Sequence, residues 1–423
     1  MFVGTDGRRI LWASSTSCAP DDDSVKVIAT DLDVGAGDLL RSYMVRDGKV
    51  ILKADAIPFS DLKVAIITPY GINCGIATYS KYLCDAMRPM VRELRIFAEK
   101  ADGADDNASD NIVRCWDRAG NYTDMLAAIA GYDPDVIYVQ HEYGSFNNGA
   151  KWNALIGHLS RWRTVVVLHS VYDHDDKLVF EAPCQEIITH SLSGRDLLKK
   201  RGVDHATINY VPHGCFEMDE TSLRFNTMGN PHVIFQYGFG FEYKGWDQAI
   251  DVVDTLKTTY PDILYIGIFN ISKFSEDFNN SYYENLMAKV RKKGLESNFV
   301  LHKGFRSEAI LRSYMKQASI CIFPYWNHHE WLVHGASGAV RMALSSGTPT
   351  VLGDVPFFSE FKGYLPVCGN GKEYVDTISK LFEDGSYRES VVDSTRRFIK
   401  ERTWNKVAQR YLECRPGQEL VDL

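Results

Sequence analysis

The sequence predicts an α/β fold with two doubly wound parallel sheets, preceded by a small β-rich extension. A chain of 423 residues with 45% apolar and 12% aromatic content can bury more than one core. Short β-branched runs without polar alternation recur along it, separated by segments of helical period, as buried parallel strands and their crossover helices require. A polar stretch over residues 217–231 divides these runs into two series. We therefore expect two domains of similar architecture.

The extension covers residues 1–60, where short apolar pieces alternate with turn residues. Asp47-Gly48 stands between SYMVR and KVILKA, and this dipeptide favours the tight turn of a β-hairpin. The sequence therefore predicts short antiparallel strands here, and it leaves their role open between recognition of an acceptor or partner and simple support of the fold.

The first domain is predicted over residues 61–215, with the strands LKVAIITPYG, PDVIYVQHEYG, TVVVLHS, QEIITHS and ATINYVPHG. The second is predicted over residues 230–400, with the strands HVIFQYGFG, ILYIGIFN, NFVLHKGF, SICIFPYW and TPTVLGD. The tail, residues 401–423, contains RTWNKVAQRYLECR, whose apolar residues follow helical spacing. This pattern predicts an amphipathic helix that covers an apolar surface, and the seam between the domains is the surface we expect.

Composition narrows the class of protein. The net charge is −8, from 47 Lys and Arg against 55 Asp and Glu, which gives no general attraction to nucleic acid or anionic lipid. Nine cysteines are scattered singly, without CxxC pairs, so neither a disulfide framework nor a zinc site is indicated. The sequence shows neither a signal peptide nor about 18 consecutive apolar residues. We expect a cytosolic protein without an integral membrane segment.

The first candidate site is the run His334-Gly335-Ala336-Ser337-Gly338, between the strand SICIFPYW and the helical segment AVRMALSS. Free N–H groups at the start of a helix attract anions, and residues without bulk let a phosphate approach them closely. Close packing of the helix on the sheet, with Ser337 as its cap, explains the same residues equally well. The sequence alone leaves these two interpretations open.

The second candidate is the loop that contains Gly238, Gly240, Lys244 and Gly245, after the strand HVIFQY. Its glycine spacing, G-x-G-x(4)-G, differs from the dinucleotide-binding fingerprint, and it lacks the GK[ST] ending of a P-loop. A nicotinamide enzyme and a P-loop NTPase are therefore both disfavoured. The loop presents Lys244 at the carboxyl edge of the sheet, where open α/β domains bind ligands, although an ordinary surface lysine is the simpler alternative.

The third candidate lies in the first domain, where Gly71, Asn73, Cys74 and Gly75 connect its first strand to a helix. A turn of small residues exposes N–H groups at the start of that helix, and tight packing of the turn is the alternative explanation.

Histidines end four of the predicted strands of the first domain, namely His141, His169, His190 and His213. Each alone is more simply a hydrogen-bonded structural residue. Four at the sheet edge where we expect a crevice are harder to dismiss as structural, because imidazole can bind sugar hydroxyls or phosphate.

In chain order these stretches resemble the GT-B glycosyltransferases, specifically the family-4-like group of retaining enzymes that use nucleotide sugars. The resemblance extends over about residues 61–415. It rests on TPYGINCGIATYSKYL, PDVIYVQHEYG, VVVLHS, INYVPHG, YGFGFEYKGWDQAI, HKGFRSEAILRSYMKQASICIFP, HGASGAVRMALSSGTPTV and TWNKVAQRYLECR. It implies two Rossmann-like domains facing a cleft, with the last helix crossing back to the N-terminal domain.

The resemblance also implies roles for individual residues. The second domain holds the nucleotide: Lys244 neutralises the donor diphosphate, the amides of Ala336 to Gly338 bind its oxygens, and Gly304-Phe305-Arg306 lies near the base. From the first domain, the loop of Gly75 approaches the diphosphate and His169 meets the donor sugar. The acceptor would be bound by the first domain, for which the candidates are His141, Glu142 and Tyr143.

The sequence departs from the family pattern at three positions. Phe239 stands where the family often has an arginine, so one of two phosphate-binding cations is missing. The acidic pair of the family falls on His334 and Met342, neither of which is acidic. Glu330 is the nearest acidic residue and the candidate replacement, so the catalytic set is His169, Lys244, His334 and Glu330.

The activity implied is transfer of a hexose from a UDP- or GDP-sugar, such as UDP-glucose, to an acceptor hydroxyl with retention. The resemblance implies no metal and no other cofactor, with the nucleotide sugar as co-substrate. The acceptor is a glycan or polysaccharide, or a hydroxymethylated base in DNA. A catalytically silent nucleotide-sugar-binding protein and a non-hydrolysing sugar-nucleotide epimerase are the alternatives. The oligomeric state is left open.

Overall fold

The structure is a computed structural model that describes residues 57–104, 111–146, 149–172, 184, 186–203, 206–218, 230–271, 275–326, 333–415, 417 and 420. Before residue 57 it describes the backbone of five short strands. These are β1 (Phe2–Thr5), β2 (Ile10–Ser14), β3 (Lys26–Ala29), β4 (Tyr43–Arg46) and β5 (Lys49–Leu52). The first three form an antiparallel sheet, and β4 pairs with β5 across Asp47-Gly48, which confirms the predicted hairpin.

The first α/β sheet has seven parallel strands in the spatial order β13-β12-β10-β9-β6-β7-β8. These strands are β6 (Lys63–Thr68), β7 (Glu93–Glu99), β8 (Ile112–Trp116), β9 (Val136–His141), β10 (Arg163–Leu168), β12 (Glu186–Thr189) and β13 (Thr207–Tyr210). A short strand outside this sheet, β11 (Ser170–Tyr172), follows β10. The described helices that accompany the seven-stranded sheet are α1 (Gly75–Met87), α2 (Thr123–Tyr132), α3 (Gly149–Leu159) and α4 (Leu192–Lys200).

The second α/β sheet has six parallel strands in the order β16-β15-β14-β17-β19-β20. They are β14 (Val233–Phe239), β15 (Leu264–Asn270), β16 (Phe299–Lys303), β17 (Ile320–Phe323), β19 (Thr350–Gly353) and β20 (Val367–Cys368). A three-residue strand outside this sheet, β18 (Val333–Gly335), precedes the fourth helix of the series. The described helices are α5 (Trp246–Leu256), α6 (Glu276–Lys292), α7 (Glu308–Gln317), α8 (Gly338–Ser345), α9 (Gly371–Glu383), α10 (Gly385–Lys400) and α11 (Trp404–Glu413).

Both sheets are doubly wound, as the sequence predicts. In each, the chain adds two strands on one side of the first strand and then returns to continue on its other side. The direction reverses between β6 and β9 in the first sheet and between β14 and β17 in the second. Such a switch point opens a crevice beyond the carboxyl ends of the two strands, and this is where open α/β sheets bind their ligands.

Continuous burial explains why the central strands are recognisable from sequence. Every residue of β9, β10 and β12 is buried, because helices cover both faces of the sheet. The sequence prediction missed β7 and β8, whose burial is interrupted. In β7 the charged residues Glu93 and Arg95 are only partly buried and form an ion pair at 3.0 Å, so this strand has the pattern of a surface segment.

Contacts between Cα atoms divide the chain into two compact units. The first comprises residues 1–171, 175–212 and 407–423, and the second comprises residues 172–174 and 213–406. The division falls between Pro212 and His213, three residues before the end of the first domain that the sequence predicts. Within the described residues, the structure has no helix long and apolar enough to cross a membrane.

The end of the chain packs against the first sheet. The Tyr411 hydroxyl in α11 is hydrogen-bonded to the Tyr79 hydroxyl at 2.7 Å, and the Tyr138 hydroxyl donates to the Tyr411 carbonyl at 2.7 Å. The Arg163 guanidinium, paired with Glu186, donates to the carbonyl of Cys414. The last helix is therefore part of the first unit from Val407 onward.

Candidate functional site

The switch point of the second sheet brings together two loops that are far apart in sequence. One follows β14 and contains Gly238 to Gly245, and the other begins with Pro324 after β17. Gly245 has a φ of +74°, and a Cβ atom there would lie 1.8 Å from the Pro324 carbonyl oxygen. A Cβ at Gly240 would lie 2.1 Å from the ring of Phe269. Packing alone therefore requires glycine at these two positions.

Lys244 in this loop is not an ordinary surface lysine. Its ammonium donates a hydrogen bond of 2.8 Å to the Tyr325 hydroxyl and lies 4.0 Å from the centre of that ring. It also lies 4.8 Å from the centre of the Tyr243 ring and 5.8 Å from that of Phe357. Burial lowers the pKa of Lys244 to about 7. Among the residues that the structure describes, no carboxylate forms an ion pair with it.

The Tyr325 hydroxyl connects Lys244 to the start of α8. It lies 3.4 Å from Ser337 Oγ, and this oxygen in turn accepts the Val340 N–H at 3.4 Å, as an N-cap residue does. Two candidate sites from the sequence, separated by more than 90 residues, therefore meet at one phenol. Sequence reasoning missed Tyr325, although a polar aromatic residue two positions after the end of a buried strand is the signal that marks it.

The turn before α8 differs in part from its prediction. His334 and Gly335 belong to the short strand β18 rather than to a loop. The first bond within the helix runs from the Arg341 N–H to the Ser337 carbonyl at 3.3 Å, so the N–H groups of Gly338 and Ala339 precede it. A Cβ at Gly338 would lie 3.4 Å from His213 Nε2, an ordinary contact. Packing does not require glycine here, unlike at Gly240 and Gly245.

A buried arginine that sequence reasoning missed holds this turn in place. Arg341 is fully buried, and its guanidinium donates to the carbonyls of Ser337 at 3.2 Å and His213 at 3.0 Å. It also forms an ion pair with Glu360. The signal in the sequence is a charged residue in the middle of the apolar segment AVRMALSS.

The residues predicted near the base follow the end of β16, which β15 separates from β14. Phe305 is 40% exposed, and its ring lies 5.6 Å from that of Phe239 in an edge-to-face arrangement. Phe239, in the position where the family often has an arginine, also contacts the ring of Phe241 at 6.1 Å. The guanidinium of Arg306 donates to the carbonyls of Gly304 at 3.4 Å and Phe305 at 3.0 Å. Phe305, Phe239 and Phe241 therefore form a row of aromatic rings here.

In the first unit, the loop after β6 is open at the start of α1. Cys74 is the N-cap residue in an extended conformation, and its side chain makes no capping hydrogen bond. Gly71 has a φ of +66°, which explains this glycine by its backbone conformation. Asn73 and Gly75 are exposed, and a Cβ at Gly75 would meet no atom within 4 Å. Close packing therefore does not explain why residue 75 is a glycine.

The predicted acceptor residues follow β9, the other strand at the switch point of the first sheet. His141 is fully buried among Tyr143, Phe146 and Trp152, with its ring 4.5 Å from that of Trp152. Burial lowers the pKa of His141 to about 3, so the ring is neutral. This environment favours the structural role for His141.

Glu142 and Tyr143 are only partly buried. The Glu142 carboxylate accepts hydrogen bonds from the Ser170 hydroxyl at 2.8 Å and the Tyr143 N–H at 3.0 Å, while burial raises its pKa. Of the three predicted acceptor residues, these two are the ones that a ligand can reach.

His169 belongs to a cluster of three rings. Its ring lies 4.8 Å from that of Tyr79 and 4.9 Å from that of His190. His169 Nε2 donates to the Gln140 amide oxygen at 2.8 Å, because that oxygen can only accept, and Nδ1 therefore keeps its lone pair. Burial, together with His190 and His141, lowers the pKa of His169 well below its usual value. Gln140, the one polar residue inside β9 before its final histidine, was not identified from the sequence.

For two further predicted residues the location differs from the prediction or is not described. His213 belongs to the second unit rather than to the first sheet, and it lies against Gly338 as described above. Glu330, the candidate replacement for the family's acidic residue, lies outside the described residues.

Comparison with solved structures identifies the architecture. HepE from Anabaena, in complex with UDP and glucose, aligns over 83% of this chain and 98% of its own, at a TM-score of 0.64 and 15% identity. Sucrose-phosphate synthase from Thermosynechococcus elongatus covers 83% of this chain and 97% of its own, at a TM-score of 0.66 and 14% identity. A glycosyltransferase from Rickettsia africae aligns over 84% of this chain and 98% of its own, at a TM-score of 0.67 and 10% identity.

These structural neighbours are GT-B glycosyltransferases, and the chain has the GT-B fold, as the sequence predicted. No protein-family model matches the sequence, and no curated protein matches it either.

Proposed function

We propose that this protein is a glycosyltransferase that takes its sugar from a nucleotide diphosphate sugar and holds the diphosphate in the second unit. One observation carries the proposal. Lys244, a lysine without a carboxylate partner among the described residues, is connected through Tyr325 to Ser337, which caps α8. A cation and a helix N-terminus together attract a phosphate.

The proposed chemistry is electrostatic. As the bond from the sugar C1 to the diphosphate breaks, negative charge grows on the leaving phosphate. The Lys244 ammonium and the N–H groups of Gly338 and Ala339 stabilise that charge without having to reorganise, which lowers the barrier. Removing one such donor typically costs about 3 kcal/mol, or roughly a hundredfold in rate.

The first unit supplies the remaining parts of the proposal. The open loop at Gly75 approaches the diphosphate, and His169 Nδ1, which keeps its lone pair, accepts a hydrogen bond from a sugar hydroxyl. Glu142 and Tyr143 lie at the same sheet edge and contact the acceptor. A glycan is the acceptor we favour over a hydroxymethylated DNA base, because the chain has a net charge of −8 and DNA-binding surfaces are basic.

Retention of the anomeric configuration, absence of a covalent enzyme intermediate and independence of metal ions belong to this proposal as well. They come from the family resemblance. Turnover that is unchanged by EDTA and a product of the same anomeric configuration as the donor are the results we expect.

The test is a panel of UDP- and GDP-sugars, with release of the nucleoside diphosphate and thermal stabilisation as the two readouts. At least one donor should raise the melting temperature, and in the presence of glycan acceptors it should be turned over. Lys244→Met should lower turnover by about a hundredfold. Lys372→Met is the matched control, because Lys372 is 82% exposed in the same unit and pairs only with Asp376 among the described residues.

Three outcomes would contradict the proposal. A protein that responds to no nucleotide sugar has no donor site. Binding without turnover over a broad acceptor screen indicates the silent binding protein instead. A changed sugar nucleotide in the absence of any acceptor indicates an epimerase.

A further inference from the structure

We propose that Tyr325 is a positioning residue of the donor site: its hydroxyl fixes the Lys244 ammonium beside the capped start of α8. This inference rests on the proposed function, because it specifies how one lysine and one helix terminus act on the same diphosphate.

The position of Tyr325 is itself tightly determined. Its side chain is 4% exposed and its ring lies 4.7 Å from that of Phe358. Two glycines pack closely against the main chain of Pro324 and Tyr325. A Cβ at Gly353 would lie 2.0 Å from the Tyr325 carbonyl oxygen, and one at Gly245 would lie 1.8 Å from that of Pro324. The hydroxyl therefore projects from a rigid point between the loops after β14 and β19.

The hydrogen bonds of this hydroxyl can be assigned a direction. Lysine has donors only, so the Tyr325 oxygen must accept from the Lys244 ammonium at 2.8 Å. Burial raises the pKa of Tyr325, which keeps the phenol protonated. Its proton is then available to Ser337 Oγ at 3.4 Å. The phenol thus orients the cation on one side and the cap of α8 on the other.

A neutral partner has an advantage over a carboxylate at this position. A carboxylate would hold the lysine equally well, but it would cancel the charge that a diphosphate needs. The phenol and the ring faces of Tyr325 and Tyr243, at 4.0 and 4.8 Å, orient the ammonium and leave its charge in place. With Phe239 in place of a second cation, the position of this single lysine matters more.

The groups that contact Lys244 come from three elements. Tyr243 lies in its own loop, Tyr325 in the loop after β17, and Phe357 in the segment after β19. Both titratable groups among them are phenols. A change in the ionisation of the site near neutral pH therefore reports on Lys244 itself.

The test is a double-mutant cycle with UDP as the probe, measured by titration calorimetry at pH 7. Tyr325→Phe should weaken UDP binding by about tenfold in the wild-type background, since a hydrogen bond to a charged group is lost. In the Lys244→Met background the same change should weaken it less than about twofold, because the hydroxyl no longer has an ammonium to orient. Tyr364→Phe, which removes a phenol hydroxyl elsewhere in the second unit, is the matched control and should leave binding unchanged.

A second readout needs no ligand. The rate of Lys244 acetylation by acetic anhydride, followed by mass spectrometry against pH, gives the midpoint of its titration. Tyr325→Phe removes an acceptor that favours the charged ammonium, so the midpoint should fall. Melting temperatures of all variants establish that they are folded.

The outcomes separate this inference from the proposed function. Equal losses of UDP affinity in both backgrounds, or an unchanged acetylation midpoint, would overturn the positioning role and leave the donor site intact. If the wild-type protein binds neither UDP nor GDP, the proposed function is wrong, and the positioning role is wrong with it.

Discussion

The buried guanidinium of Arg341 reaches back along α8 and donates to the main-chain carbonyl of Ser337 at 3.2 Å. The same guanidinium donates to the carbonyl of His213 at 3.0 Å and pairs with the buried carboxylate of Glu360. One side chain therefore fixes the turn at the start of the helix and the segment that lies against Gly338.

Replacing this arginine should destabilise the protein. Arg341→Met leaves Glu360, which is 7% exposed, with Arg402 at 4.0 Å as its nearest cation among the described residues. We expect the free energy of unfolding, measured by urea denaturation, to fall by about 3 to 5 kcal/mol. Adding Glu360→Gln should recover part of this loss, because a neutral amide then replaces the buried carboxylate that has lost Arg341. An Arg341→Met protein as stable as the wild type would contradict the prediction.

The ionisation of Lys244 should make donor binding depend on pH. Its pKa of about 7 lies below the ordinary value of 10.5, so above pH 7 the free protein loses a proton that the bound state requires. UDP affinity should therefore fall by up to about tenfold per pH unit above neutrality. Calorimetry between pH 7 and 9 is suitable, because the UDP phosphates are already ionised there.

The control for this pH dependence is Lys244→Met, which has no proton to lose. Its UDP affinity should be weak and nearly constant over the same range. A wild-type affinity that is independent of pH would show that the lysine does not contact the phosphates.

Two glycines in the proposed donor site should respond in opposite ways to alanine. Gly245→Ala places a methyl group 1.8 Å from the Pro324 carbonyl and requires a positive φ, so the melting temperature should fall sharply. Gly338→Ala meets His213 Nε2 at an ordinary 3.4 Å in the first turn of α8. Its melting temperature should hold or rise slightly, because alanine is the better helix former.

If the N–H groups at the start of α8 bind a phosphate, Gly338→Ala should nevertheless weaken UDP binding, because a methyl group beside them hinders close approach of the anion. Equal affinity in this variant and in the wild type would favour the packing interpretation of the run 334–338. Titration calorimetry of the variant and the wild type decides between the two explanations that the sequence left open.

The buried histidines should make the fold sensitive to acid. The pKa of His141 is about 3 and that of His169 is well below the usual 6.5, so both rings are neutral in the folded state. Below pH 6.5 the unfolded chain binds protons that the folded protein excludes. Stability should fall as pH falls, by about 1.4 kcal/mol per pH unit for each such histidine.

Urea denaturation between pH 7 and 5 measures this slope. His141→Phe, an aromatic replacement among aromatic neighbours, should reduce the slope of the free energy of unfolding against pH by the contribution of one histidine. His158→Gln is the control, because His158 is exposed and its replacement should leave the slope unchanged. Identical slopes in wild type and His141→Phe would contradict the prediction.

Much of the fold was predictable because central parallel strands are buried on both faces. Runs such as RTVVVL in β10 have no amphipathic pattern that a helix or surface strand would show. The loops after β6, β9 and β14 were also identified as candidate sites, since small residues and lysine or histidine follow these strands. Local chemistry is enough for such features, as it was for the Ser337 cap.

Tyr325 and Arg341 were missed because their roles depend on distant contacts. Tyr325 meets Lys244 across 81 residues, and Arg341 meets the His213 carbonyl across 128. The sequence signals at these two residues, a tyrosine after a buried strand and an arginine within an apolar segment, do not reveal the distant partner of either one. The burial of His141 could not be predicted either, because a histidine at the end of a strand can point into the core or into the crevice.

The first unit is discontinuous, and this affects how the protein is made. Its sheet ends at Tyr210, yet Tyr411, which is hydrogen-bonded to the hydroxyls of Tyr79 and Tyr138, is synthesised 201 residues later. A nascent chain therefore exposes part of the first sheet while the whole second unit emerges from the ribosome. Chains that stop before residue 407 should need chaperones, because the surface that α11 covers stays open to water.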